Sequence, residues 1–154
     1  MKNKLFISTF LLFSFASCDN NDIYFHTYSI PLDGWDKNRS YNFDIDIEDI
    51  DASYNVLINI RNNAGYPYQN LWLFTRETID GVEKGDSIDC YLADDRGKWL
   101  GKGAGDMHEM SVFFRQAIRF ERPGRYTIQL WQGMRDDVLT GVNDVGVRVE
   151  KTIN

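Results

Sequence analysis

The chain has little of what a disulfide-stabilised or zinc-binding protein needs. Its 154 residues include only two cysteines, two histidines and three prolines. No Cys-x-x-Cys or His-x-x-x-His spacing occurs, so we expect neither a metal nor a cofactor. The charge is one-sided as well, because 23 acidic residues against 17 basic ones give a net charge of −6. Such a domain repels nucleic-acid phosphates, and we therefore expect no nucleic-acid partner.

Long apolar runs are also missing, except at the N-terminus. Two lysines lie within residues 1–4, an apolar run covers residues 5–15, and two small residues lead to Cys18. This order is typical of a bacterial lipoprotein signal peptide. The apolar run is too short for a transmembrane helix, which needs about 20 residues. We predict cleavage before Cys18 and attachment of lipid to its thiol, so that the membrane is the first partner of this protein.

The signal divides the chain into three parts. Residues 1–17 are the predicted signal peptide, residues 18–22 are the lipidated Cys18 with a polar tether, and residues 23–154 form one domain of ordinary size. The acidic tether is interpreted as a flexible leash, although acidic stretches at this place also occur in surface-export signals. We expect a lipid-anchored protein of the cell envelope, in the outer membrane, and leave open which face of that membrane carries it.

Alternating apolar and polar residues predict β-strands in the domain. The pattern is strict over residues 41–48 and returns over residues 54–60, 126–130 and 145–149. The run Leu71-Trp72-Leu73-Phe74 is apolar on both faces, which predicts a strand covered on both sides. The spacing of strands and turns predicts an all-β fold, a single antiparallel β-sandwich that is either immunoglobulin-like or jelly-roll-like.

The segment 110–120 fits two kinds of structure. Val112, Phe114, Ile118 and Phe120 suit a strand, although Gln116 breaks the alternation. The same stretch also places apolar residues at helical spacing. We predict a strand, because the segment leads into a Pro-Gly turn.

No set of residues identifies a catalytic site, and we predict that the protein is not an enzyme. Cys90 shares an apolar face with Ile88 and Leu92, which predicts a buried structural thiol. The carboxylates within residues 44–51 are interpreted as the solvent-exposed face of a strand rather than as a calcium site, because calcium ligands must converge on one point.

The tryptophans leave a second function open, the binding of surface glycans. Trp35 and Trp99 are expected in loops, where they could stack on sugar rings. Trp72 and Trp131 lie in predicted strands and could instead belong to the core.

Several stretches resemble one known family. They are Tyr66–Phe74, Leu92–Asp106, Pro123–Thr127, Gln132–Arg135 and Gly141–Glu150. Their order behind a lipoprotein signal is similar to the gliding-motility lipoprotein family GldH of Bacteroidetes. The resemblance implies a lipoprotein that supports the gliding and type IX secretion apparatus, with envelope proteins of that complex as partners. It supplies no catalytic residue.

The family-like stretches also predict where a partner would bind. Residues 94–106 and 132–144 form two glycine-containing loops, and loops on a rigid sandwich commonly carry binding groups. Trp99 and Arg135 are the predicted partner-binding residues, because tryptophan and arginine are frequent at interface hot spots. The alternative is that Trp99 closes an end of the sandwich and that Arg135 pairs internally with Asp144 or Glu150.

Overall fold

The computed structural model describes residues 21–152. The predicted signal peptide, Cys18 and most of the tether lie outside the described residues. Residues 21–152 form ten strands and no helix, so this part of the chain offers no helix that could cross a membrane. The strands are β1 (Asp22–Ser29), β2 (Trp35–Asp36), β3 (Tyr41–Ile47), β4 (Tyr54–Asn63), β5 (Asn70–Ile79), β6 (Val82–Tyr91), β7 (Met107–Ile118), β8 (Gly124–Gln132), β9 (Val138–Leu139) and β10 (Val142–Lys151).

Eight of these strands form two antiparallel sheets of four. Sheet 1 has the order β1-β10-β4-β7 and sheet 2 has the order β3-β8-β5-β6, while the short β2 and β9 pair with each other. Among the long strands only β5 and β6 follow one another within a sheet, and every other connection crosses to the opposite sheet. This is the strand order of an eight-stranded jelly roll. The predicted antiparallel sandwich is confirmed, and the topology selects the jelly roll over the immunoglobulin alternative.

The core lies between the two sheets and follows from the alternation. Phe43, Ile45 and Ile47 of β3 are at most 2% exposed, whereas the polar residues between them face solvent. In sheet 1 the inward residues of β10 lie beside those of β4. The pairs are Val145 with Ile60, Val147 with Ile58 and Val149 with Val56. The burial of these residues of β3, β4 and β10 removes apolar surface of both sheets from water. This removal is the main source of stability in such a fold.

The prediction that β5 is covered on both sides is wrong for one side. Leu71 and Leu73 are completely buried, but Trp72 is 42% exposed and Phe74 is 44% exposed. Successive side chains of a strand point to opposite faces, so the two leucines enter the core and the two aromatic rings point outward. Within residues 21–152, the second layer of the sandwich covers only the inner face of sheet 2.

The strand prediction for residues 110–120 is confirmed. They lie mostly in β7, which pairs with β4 along its whole length. Val56 lies opposite Arg115 and Tyr54 lies opposite Ile118, so Gln116 and Ala117 form a bulge. Ala117 has a φ of 48°, which is uncommon for a residue with a side chain. This bulge is the reason that the alternation breaks at Gln116.

Candidate functional site

The outer surface of sheet 2 carries three exposed or half-buried aromatic side chains. Trp72 and Phe74 belong to β5, and Trp131 of β8 lies directly opposite Phe74. The ring centroids of Phe74 and Trp131 are 6.0 Å apart at an angle of 42°. We refer to Trp72, Phe74 and Trp131 as the aromatic face.

Polar groups border this aromatic face. The guanidinium of Arg76 lies 5.5 Å from the ring centroid of Trp131, within the range of a cation–π contact. On the other side, the Gly133 amide donates to the Trp72 carbonyl oxygen at 2.7 Å. A Cβ at Gly133 would lie 3.1 Å from the Phe74 ring, so this position favours a residue without a side chain. The result is an apolar surface with an arginine beside it.

Arg135 lies next to the aromatic face. It is exposed and lines a shallow pocket together with Tyr68, Trp72 and Met134. Trp72 therefore belongs both to this pocket and to the aromatic face. Among the ion pairs of residues 21–152, none involves Arg135.

The two acids proposed as internal partners of Arg135 are bound elsewhere. Asp144 pairs with Arg61 and accepts a hydrogen bond from the Ser29 hydroxyl at 2.8 Å. Glu150 accepts one from the Asn55 side chain at 3.1 Å. The Arg135 side chain is exposed, and within residues 21–152 neither acid pairs with it.

Trp99 lies apart from the aromatic face. Its half-buried ring stacks on His108, with centroids 5.6 Å apart at 27°, and lies 6.4 Å from the Tyr66 ring. It also packs against the buried core, and its backbone forms a bridge with Ala93. This arrangement agrees with the interpretation in which Trp99 closes part of the sandwich. The structure thus brings only one of the two predicted residues, Arg135, to the aromatic face.

The structure corrects the placement of Trp35 and decides that of Trp72, which the sequence left open. Trp35 is completely buried, and its indole nitrogen donates to the Arg39 carbonyl oxygen at 2.9 Å. It is therefore not available to stack on a glycan. Trp72, which was a candidate for the core, is exposed. A usable signal was present, because the aromatic residues alternate with Leu71 and Leu73 and so belong to the opposite face of the strand.

The predicted burial of Cys90 is confirmed. Its side chain is completely buried. Burial, with a smaller contribution from the charge of Asp89, raises the pKa of the Cys90 thiol to about 12. A thiolate is the reactive form of cysteine, so this environment keeps the group inert near neutral pH.

The acidic row on β3 and in the following loop is held by separate partners. Asp44 accepts a hydrogen bond from Thr127 at 2.6 Å, and Asp46 pairs with Arg125 at 3.0 Å. The hydrogen bond from Arg125 lowers the pKa of Asp46, and that from Lys151 lowers the pKa of Asp49. Within the described part of the chain, no three histidine, cysteine or acidic side chains come together as metal ligands.

One solved structure shows a weak likeness. A chain in the structure of infectious bursal disease virus Gx strain aligns with 85% of this chain and 32% of its own length, at 14% identity and a TM-score of 0.30. These values are too low to establish a common fold, and the jelly-roll assignment depends on the strand order alone.

Two curated proteins are similar to the chain over almost its whole length. The gliding motility lipoprotein GldH homolog of Christiangramia forsetii is 35% identical over 158 residues, covering 97% of this chain and 96% of that protein. The gliding motility lipoprotein GldH of Flavobacterium johnsoniae is 30% identical over 155 residues, covering 96% and 94%. The family described as GldH lipoprotein matches residues 22–149, which span all ten strands except the last two residues of β10. The chain belongs to the GldH lipoprotein family.

Proposed function

We propose that this protein is a non-enzymatic lipoprotein that supports a gliding or type IX secretion apparatus by binding another envelope protein through its aromatic face. Membership of the GldH lipoprotein family supports the role in the envelope, and the names of the two relatives associate that family with gliding motility. The observation that carries the binding role is the exposed Trp72 and Phe74 beside the half-buried Trp131 on a sheet surface.

The anchor in this proposal is lipid on Cys18 in the outer membrane. The basic, apolar and small-residue zones before Cys18 support it. Each buried CH2 of a lipid chain contributes about 0.8 kcal/mol, so two or more chains hold a protein on its membrane stably. The protein then acts at a membrane surface to which its lipid holds it.

The aromatic face has the composition of a protein interface. Tryptophan, phenylalanine, methionine and arginine are enriched in interfaces, and tryptophan and arginine often dominate the binding energy. Trp72, Phe74 and Trp131 supply the aromatic part, with Met134 and Arg135 beside them. Contiguous exposed apolar surface commonly marks a site of interaction. Arg135 would add a planar charged group that can bind a carboxylate of the partner in a bidentate way.

Two local features support a role in binding rather than in catalysis. The Cys90 thiol is buried and has a raised pKa, so it is a poor nucleophile. Asp46 and Asp49, which lie in the acidic row, are engaged by Arg125 and Lys151. Neither feature supplies a group poised for acid–base chemistry.

Affinity purification of the lipidated protein from its own membranes tests the proposal. The double substitution Trp72→Ala with Trp131→Ala should abolish recovery of the envelope proteins that accompany the wild type. The matched control is Phe25→Ala with Phe113→Ala, because these two aromatic residues are 52% and 48% exposed but lie on sheet 1. Unchanged recovery with a folded Trp72→Ala, Trp131→Ala protein would contradict the proposal.

The binding of surface glycans is the second candidate function, and the same exposed rings favour it. Aromatic faces stack on sugar rings, and here the exposed Trp72 and Phe74 lie beside the half-buried Trp131, whereas the predicted Trp35 is buried. Titration with polysaccharide from the cell surface separates the two functions. The glycan is favoured if the wild type shows heat of binding that the Trp72→Ala, Trp131→Ala protein lacks, and if the purification recovers no protein partner. Neighbouring motility or secretion genes favour the protein partner, and polysaccharide-utilisation genes favour the glycan.

A further inference from the structure

The strand register determines which groups lie at the end of the sandwich where β1 begins. In sheet 1 the end is defined by the pairs Asp22 with Glu150, Lys151 with Tyr54, and Tyr54 with Ile118. In sheet 2 it is defined by Ile47 with Gly124, Ile79 with Tyr126, and Ile79 with Val82. The Phe120 ring joins the two sheets here, 5.4 Å from Tyr54 and 4.4 Å from Tyr126. We call this the anchor end, and the opposite end, near Ser29, Asn62 and Gln132, the far end.

The position of Cys18 limits how far the anchor end can be from the lipid. Cys18 is four residues before Asp22, the first residue of β1. A fully extended chain spans at most about 3.6 Å per residue, so these residues reach roughly 14 Å. β4 and β10 each have 10 residues, and at about 3.3 Å per residue they are roughly 33 Å long. A tether of this length keeps the anchor end near the bilayer and is shorter than the sandwich itself.

The surface of the anchor end contains exposed aliphatic side chains. Ile50 lies in the loop after β3 and is 39% exposed, and Ile79 and Val82 flank the β5–β6 turn with exposures of 39% and 71%. The turn residues Asp80 and Gly81 both have positive φ, as in a tight type I′ hairpin. Two separate loops thus present aliphatic groups at the same end.

Ion pairing reduces the negative charge of this end. Asp46, Asp49 and Asp80 each have a basic partner within 3.0 Å. The partners are Arg125, Lys151 and Arg122 respectively. These pairs are exposed and contribute little to stability, but they offset carboxylates that anionic headgroups would otherwise repel. The pairs thus neutralise three of the carboxylates at the end that would approach a bilayer.

We propose that the anchor end rests on the lipid bilayer, with Ile50, Ile79 and Val82 in the headgroup layer. The far end then stands roughly 30 Å from the membrane, given the strand length. Arg135, which follows β8 at the far end, is presented to a partner away from the bilayer. The inference rests on the proposed lipid attachment at Cys18.

Fluorescent labels at the two ends test this orientation. Full-length lipidated proteins carrying Val82→Cys or Leu32→Cys are labelled with an environment-sensitive fluorophore and reconstituted into phosphatidylethanolamine–phosphatidylglycerol vesicles with nitroxide-bearing lipids. Leu32 is the matched control, because it is fully exposed and follows β1 at the far end. Cys90 is buried and stays unlabelled. We expect the nitroxide lipids to quench the fluorophore at position 82 and to leave the fluorescence at position 32 unchanged.

A longer tether provides the second arm. Insertion of about 20 Gly and Ser residues after Cys18 should keep the protein on vesicles but reduce the quenching at Val82, because a flexible chain of that length extends the reach to roughly 25 Å on average. Two results would overturn the orientation while leaving the lipid anchor intact. One is equal quenching at Leu32 and Val82. The other is no quenching at either position in protein that floats with the vesicles. Absence of lipid mass on Cys18 and failure to float would overturn the anchor, and the orientation with it.

Discussion

Arg115 of β7 donates a hydrogen bond to the carboxylate of Glu77 on β5, with an N–O distance of 2.7 Å. The pair joins sheet 1 to sheet 2, and its side chains are only 23% and 18% exposed. Arg115 also contacts Asp86 of β6 at 3.0 Å and lies over the Phe114 ring. One cation thereby holds an acid from each of two neighbouring strands of the opposite sheet.

We expect Arg115→Met to destabilise the fold by about 2–3 kcal/mol. The substitution keeps much of the packing but leaves the mostly buried Glu77 carboxylate without its cation, and an unpaired group in that position costs more than an exposed one. Urea denaturation followed by circular dichroism measures the change in the free energy of unfolding.

Arg125→Met is the control for this prediction. Arg125 pairs with Asp46 in a similar geometry, but both side chains are about two-thirds exposed. Exposed pairs contribute about 0–1 kcal/mol, so the loss should be much smaller. Equal losses of unfolding free energy in the two variants would show that the contact of Arg115 between the sheets stabilises the fold no more than an exposed ion pair does.

We expect Cys90 to be unreactive in the folded protein and dispensable for function. A thiol reagent should modify it only when denaturant unfolds the chain, because the side chain is completely buried. Cys90→Ala should cost about 1–2 kcal/mol of stability, since it removes one small buried group. Loss of activity in a stably folded Cys90→Ala protein would instead indicate thiol chemistry.

The same residue has a pH signature. The pKa of Cys90 in the folded state is about 12, above its ordinary value of 9.0. Its contribution to stability is therefore complete below pH 9.0 and is lost as the pH rises toward 12, because only the unfolded chain releases the proton in that range. The urea midpoint of the wild type should fall more steeply above pH 9 than that of Cys90→Ala.

Cys18→Ala should release the domain from membranes or stall removal of the signal peptide. The thiol is the predicted attachment point, and no other group in the signal can replace it. Fractionation and mass spectrometry of the mature N-terminus measure the outcome, with Cys90→Ala as the cysteine variant that should remain on the membrane. Retention of Cys18→Ala on membranes, with no lipid on the wild-type terminus, would refute the anchor.

Trp99 and Arg135 should respond differently to alanine substitution. Trp99→Ala should cost about 2–4 kcal/mol, because the half-buried ring packs on His108 and the core. Arg135→Ala should change stability by less than about 0.5 kcal/mol, because its side chain is exposed, but it should lower partner recovery. Stability is read from urea denaturation and recovery from affinity purification. A folded Arg135→Ala protein that keeps every partner would remove Arg135 from the binding surface.

Local pattern was sufficient for several strands of this protein, but not for β1, β2 and β9. Strict alternation at Tyr41–Ile47 predicted the inward and outward residues of β3 correctly, because a strand with one buried face places every second residue in the core. The resemblance to the GldH family was likewise present in the sequence, in stretches that the family match over residues 22–149 covers except for Glu150.

The tertiary structure alone decided which faces of the sheets are covered and how distant segments meet. Trp72 and Leu71 have similar apolar character, yet one is exposed and the other is buried, because residues 21–152 cover sheet 2 on one face only. Gly141, with a φ of 86°, is constrained by Tyr66, whose Cα would lie 2.5 Å from an added Cβ. That contact joins residues 75 positions apart, as the Arg115–Glu77 bond joins two sheets. Sequence period reports which side of a strand a residue occupies, but what lies on that side depends on the pairing of strands far apart in the chain.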